Sequence, residues 1–199
     1  RFTLCVFILR QTSWPPSMKW LLALAAASVV FILGLLAYIF LILAPGLPEL
    51  TAVTDYKPKI PLRIYTADNN LIGEFGEEHR DFAPIKDIPE KMKKAVLSIE
   101  DARFYEHSGV DYIGVARAVV ATATGGVQQG ASTITMQVAR NFFLTREKSL
   151  TRKLREMMLA KRIEDALSKD QILELYMNQI YLGQRTHGFS SAARTYFNK

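Results

Sequence analysis

The run from Trp20 to Ala44, WLLALAAASVVFILGLLAYIFLILA, contains 25 residues without a charge and constrains the fold more than any other stretch. As an α-helix it would extend roughly 37 Å, against a hydrocarbon thickness of about 30 Å. That length spans a bilayer with some tilt to spare. A cleaved signal peptide would have a shorter apolar core ending in a small-x-small site, whereas Ala44 runs straight into Pro45-Gly46-Leu47-Pro48. Residues 18–44 therefore read as an uncleaved signal-anchor. Arg10 and Lys19 precede the span and Glu49 and Asp55 follow it, which keeps the N-terminus in the cytoplasm and sends Leu47 onward outside.

The formal net charge of +6 would point a soluble chain toward nucleic acid; beyond a membrane it suits anionic headgroups or a phosphate-bearing substrate. The topology excludes nucleic acid as a partner. Cys5 is the single cysteine, so no internal disulfide forms, and it precedes the span on the reducing side. Residues 1–17 lead up to Met18-Lys19, which looks like a natural start. They read as a short cytoplasmic tail or as upstream sequence that does not belong to the protein.

After the span, 45–61 is proline-rich without helical periodicity and reads as an extended stalk. Leu62–Thr66 and Leu71–Phe75 are β-prone runs separated by Ala67-Asp68-Asn69-Asn70, the pattern of a hairpin. From Ile88 onward the period is helical. Met92, Val96 and Ile99 form the stripe of a first helix, and Ile113, Ala116 and Val120 that of a second over 111–123. TGGVQQGA at 124–131 reads as a mobile loop open to substrate. Ser132 is the expected N-cap of a third helix, with Ile134, Val138 and Phe142 on one side and Thr133, Gln137 and Arg140 on another. A long fourth helix over 150–167 shifts its stripe from Leu150, Leu154 and Met158 to Leu159, Ile163 and Ala166, which predicts a kink or a rotation of its buried face. Ser168 and Gln171 form a capping box for a fifth helix that Gly183 stops, and a sixth starts near Gly188.

Many catalytic signatures are missing: there is no GxGxxG, no phosphate loop, no HExxH, no CxxC, no GxSxG and no SxxK. His79, His107 and His187 lack metal-site spacing. Two clusters remain. In VLSIEDARFYEHSG at 96–109, Glu100 follows Val96 by four residues, which draws a carboxylate toward the apolar side; such a group is either a shielded acid or base, or one of an ordinary surface pair with Asp101. Arg152, Lys153 and Glu156 place a carboxylate beside two cations on one helix face. That trio is either a surface salt bridge or a receiver for a departing phosphate.

Taken together and in order, these stretches resemble the family 51 peptidoglycan glycosyltransferases, membrane-anchored enzymes that polymerise lipid II. EDARFYEHSG at 100–109 is similar to EDxxFxxHxG, GASTITMQ at 130–137 to GxSTITQQ, RKLRE at 152–156 to RKxxE, and KDQILELYMN at 169–178 to KxxILxxYLN. Arg185 through Gly188 and Ala192-Ala193 resemble RGxxGxxxAA more distantly. The hairpin stretch and NFFLTREKSLTRKLREMMLAKRIE are most similar to the bifunctional class A penicillin-binding members, in which a transpeptidase domain, absent from these residues, would follow.

The resemblance implies a mainly α chain: the transmembrane helix, a short β-hairpin, then a lysozyme-like helical glycosyltransferase domain over 62–199 that is incomplete at its C-terminal end and weakly active or inactive as such a piece. Glu100 would be the base that deprotonates the 4-hydroxyl of acceptor lipid II, and the growing glycan would leave its lipid pyrophosphate with inversion. Glu156 would act on the donor side, with Arg140, Arg152 and Lys153 neutralising charge. Asp101 and His107 would orient the site, Thr133 and Gln137 would bond sugar or phosphate, and Phe104, Ser132, Asn141 and Arg185 would line the substrate path. A divalent cation, Mg or Mn, at the donor pyrophosphate is the one cofactor implied. Implied partners are lipid II, the glycan strand, membrane lipids and other cell-wall synthesis proteins, at the outer face of a bacterial inner membrane. Met136 departs from the first glutamine of QQ, His187 from the usual tyrosine, and Ser190-Ser191 from small apolar residues. A glycan-cleaving lytic enzyme and an inactive membrane scaffold are the competing readings.

Overall fold

The computed structural model describes residues 15–56, 62–76, 79–125, 130–145 and 149–198. The chain divides into two compact units, 1–46 and 47–199. In the first, helix α1 (Pro16–Tyr38) begins on a proline, whose missing N–H costs nothing in a first turn, and continues as a π turn over Ile39–Leu43. Residues 17–43 form a helix of 27 residues with mean hydropathy 2.7, long and apolar enough to cross a membrane. Residues 1–14, with Cys5 and Arg10, lie outside the described residues.

The second unit starts without a stalk. Leu47, Leu50, Val53 and Tyr56 recur every three residues, around the short helix α2 (Thr51–Thr54), and pack against the main core. This spacing lays one side of the turn on the domain, so the expected extended stalk does not hold over 47–56. Residues 57–61 fall outside the described ones. The expected hairpin is present: β1 (Leu62–Tyr65) pairs antiparallel with β2 (Leu71–Phe75), and Asn69 takes the left-handed turn position at φ 66°.

A two-residue strand, β3 (His79–Arg80), pairs parallel with β4 (Thr186–His187). Between them in sequence come a 3-10 turn (Ile85–Asp87) and helices α3 (Glu90–Glu100), α4 (Tyr112–Ala123), α5 (Ile134–Phe143), α6 (Leu150–Ala166) and α7 (Lys169–Gln179). After β4 follows α8 (Phe189–Phe197). The core is built where α5, α6 and α7 meet, on Ile134, Val138, Leu159, Ile163, Ile172 and Tyr176, with Val96 and Phe104 packed beside them. The chain is mainly α, as its periodicity predicts.

Three stripes differ from expectation. Helix α6 has one buried row, Glu156, Leu159, Ala160 and Ile163, and Leu150 is 87% exposed, so the pattern calls for no kink. The expected inward face of α4 is outside: Ile113 is 63% and Val120 62% exposed. On α3, Met92 and Ile99 are exposed and the inner face carries Val96 and Leu97. Helix α7 has its capping box, but it ends at Gln179, and Gly183, at φ 90°, serves the following turn.

Candidate active site

Glu100 is the last residue of α3, on the inner face of that helix, where the core has run out and the face opens on a cleft of about 380 Å³. It is exposed rather than shielded, contrary to the sequence reading. Gln137 Nε2 donates to its Oε2 at 2.8 Å. The buried carboxylate is its neighbour. Asp101 leaves the helix with φ −162° and turns inward, where it accepts from Ile134 N–H at 3.1 Å and from His107 Nε2 at 2.9 Å. A carboxylate on the first turn of α5 satisfies an otherwise orphaned N–H and the dipole together.

Thr133, not Ser132, caps α5: its Oγ1 accepts from Met136 N–H at 3.2 Å and donates to the Gly109 carbonyl at 2.6 Å. It is 2% exposed and lines the cleft wall. Phe104, 1% exposed, cannot touch substrate; the Lys169 ammonium sits 4.3 Å from its ring centroid. Met136 is buried against Val110 and Ala160, which leaves Gln137 to face the cleft carboxylate.

Ser132 lines the cleft and accepts from Lys153 Nζ at 2.6 Å. The same ammonium lies 3.2 Å from Glu156 Oε2, while Arg152 Nη1 lies 3.0 Å from Glu156 Oε1. Glu156 is 1% exposed, so the trio is a buried carboxylate clamped by two cations and not a surface salt bridge. Arg140 donates to Gln137 Oε1 at 3.5 Å. With Asn141 it lines a second cavity of about 360 Å³ shared with Gln179, Tyr181 and His187. Arg185 is exposed on the turn before β4 and lines neither cavity. Of the loop at 124–131, residues 126–129 lie outside the described ones; Gly130 and Ala131 line the cleft.

Both Glu156 oxygens face a cation, and among the described residues no group of three or more His, Cys, Asp or Glu could hold a metal ion. Tyr176, on the inner face of α7, carries no signal of a site in the sequence. It is 1% exposed and its hydroxyl lacks a hydrogen-bond partner among the described residues; burial, then the Glu100 charge, pushes the phenol well above its usual range, so it stays protonated.

Residues 68–199 match the family described as Transglycosylase. The chain is 57% identical over 171 residues to penicillin-binding protein 1A of Neisseria flavescens and 58% identical to that of Neisseria cinerea, each alignment covering 85% of this chain and 21% of the relative. It is 47% identical over 182 residues to penicillin-binding protein 1A of Escherichia coli strain K12, covering 91% of this chain and 21% of that protein. The chain thus spans about a fifth of the length of these relatives. A cleft with Glu100 on its wall, a buried cation clamp reaching that wall through Ser132, and a family match over most of the chain lead to one assignment: the chain belongs to the transglycosylase family.

Proposed function

We propose that the unit from Leu47 onward polymerises lipid II into peptidoglycan glycan strands, at the outer face of a bacterial inner membrane that α1 spans with its N-terminus inside. The observation that carries this reading is Glu100 on the cleft wall, hydrogen-bonded by Gln137, with Ser132 lining the same cleft and bonded to Lys153 of the Lys153–Glu156–Arg152 clamp. Glu100 takes the proton from the 4-hydroxyl of the acceptor. The freed oxygen pair attacks the anomeric carbon of the donor glycan, and the bond from that carbon to the pyrophosphate oxygen breaks with inversion. Lys153 and Arg140 meet the charge that collects on the departing lipid pyrophosphate, and Glu156 keeps Lys153 and Arg152 in place. Glu100 returns its proton to water.

Membrane lipids are the natural neighbours of α4, whose Tyr112, Ile113, Val119 and Val120 are all exposed. The relatives are named for penicillin binding. With no SxxK in these 199 residues, a serine acyl-enzyme of that kind would lie in the part of the relatives outside the aligned fifth. The test incubates the intact protein in detergent with labelled lipid II, with and without Glu100→Gln. Polymer from the wild type and none from the variant is expected; shortening of preformed strands would replace transfer by lysis, and lack of either reaction would leave a scaffold.

A further inference from the structure

Each turn of the proposed reaction involves two pyrophosphates, one leaving with the donor lipid and one that stays on the acceptor. The Lys153–Arg152 clamp and Arg140 serve the first. The cleft on the other side of Ser132 has its own cations, Arg103 and Arg117, together with Glu100, Asp101 and Asp111. Most of these charges are settled internally. Asp101 is taken by His107 and Ile134 N–H. Asp111 pairs with Arg103 and also accepts from Gly114 N–H at 2.9 Å, capping α4. Gly114 is what lets that carboxylate lie against the helix, since a Cβ there would stand 2.4 Å from Asp111 Oδ2.

Two ionised groups are left over at the cleft surface, Glu100 and Arg117. Arg117 sits on α4 one turn after the cap, is exposed, and its side chain has no ion-pair or hydrogen-bond partner among the described residues. Arg103 adds a guanidinium with a buried Nε lacking a partner among the described residues. The lining also includes the small residues Ser98, Ala102, Gly130 and Ala131, beside Ile99, which leaves room for a sugar ring.

Resting on the lipid II polymerase reading, we propose that Arg117, with Arg103 fixed by Asp111 beside it, is the anchor for the acceptor's pyrophosphate, holding the neutral sugars so that the 4-hydroxyl meets Glu100. A guanidinium presents paired N–H donors to two phosphate oxygens, a stronger and more directional contact than an ammonium makes. An anionic phospholipid headgroup has the same phosphate-ester chemistry, and α4 is apolar enough to lie near one.

The test uses the intact protein in neutral detergent, with a glycan primer still linked to its lipid pyrophosphate as donor and lipid II varied as acceptor. Arg117→Gln is expected to raise KM for lipid II on the order of ten- to hundredfold, the factor for one charge-assisted contact, with kcat changed less than about threefold. Arg117→Lys should recover part of the loss, and the melting temperature of both variants should match the wild type because Arg117 supports no internal contact. An unchanged KM in Arg117→Gln, while the wild type makes polymer and Glu100→Gln makes none, overturns the anchor and leaves the polymerase; polymer from Glu100→Gln overturns Glu100 as the base, and no polymer from the wild type overturns the polymerase itself. Binding of labelled lipid II to the Glu100→Gln protein separates the two phosphate sources. Competition by unlabelled lipid II, weakened by adding Arg117→Gln, supports the acceptor. Equal competition by phosphatidylglycerol that vanishes with Arg117→Gln overturns it in favour of a lipid headgroup.

Discussion

Glu100 and Asp101 are consecutive and identical in chemistry apart from one methylene, yet the end of α3 sends them to opposite environments. Glu100 stays on the helix face and meets the cleft; Asp101 leaves it and supports α5. The sequence shows the pair but not this division, because the turn is set by a contact 33 residues away. Glu156 was legible as one of a charged trio, and its burial was not, since i, i+4 spacing looks the same on a surface. Glu156→Gln leaves Arg152 and Lys153 without their counter-charge, and a loss of about 3 kcal/mol in denaturant-unfolding stability is expected. Tyr105 gives a pH prediction. Burial and the hydrogen bond to Asp170 Oδ1 at 3.0 Å push its phenol up to about 12 from the usual 10, so the neutral form is favoured by folding. The stability this adds is complete below about pH 10 and is lost as pH rises through 12. Phenolate absorbance should show two tyrosines titrating late, Tyr105 and Tyr176, and Asp170→Asn should bring only Tyr105 back down.

At the scale of elements, what the sequence makes readable is local. The capping box of α7, the hairpin with its Asn69 turn and the start of α8 after Gly188 all depend on neighbours within a few residues. What it hides depends on packing partners. The pairing of β3 with β4 involves two residues a side, below any periodic signal, and the outward face of α4 has the same pattern as a buried one. Ser191, a departure from the family pattern, becomes intelligible only in three dimensions: it is 3% exposed and its Oγ accepts from Asp81 N–H at 2.6 Å. Gly109 shows how closely the loop after α3 meets α6. Its φ is +91°, and a Cβ would lie 2.9 Å from the Ala160 carbonyl carbon and oxygen. Gly109→Ala is therefore expected to cost about 2 kcal/mol or more, from backbone strain and overpacking together, read as a lowered melting temperature.

For the molecule as a whole, the division at Gly46 and the early docking of Leu47, Leu50 and Val53 place all core residues of the helical domain on one side of the boundary. A chain starting at Leu47 should keep the circular-dichroism melting transition of the full one; loss of that transition would show that α1 is needed for folding. The segment leading into the 3-10 turn is held from far along the chain. Ala83 exchanges hydrogen bonds with the Asn178 side chain in both directions, Ile85 N–H donates to Glu174 Oε2, and Asp81 N–H donates to Ser191. These partners are separated by 95, 89 and 110 residues. A ribosome adds about 5–20 residues per second, so the strap around 81–85 waits roughly 5 to 20 seconds for the residues that fasten it. During that interval Glu100 has already been synthesised, but the helices that give it Gln137 and the cation clamp arrive only afterwards. The candidate site is therefore assembled only late in the chain's own synthesis.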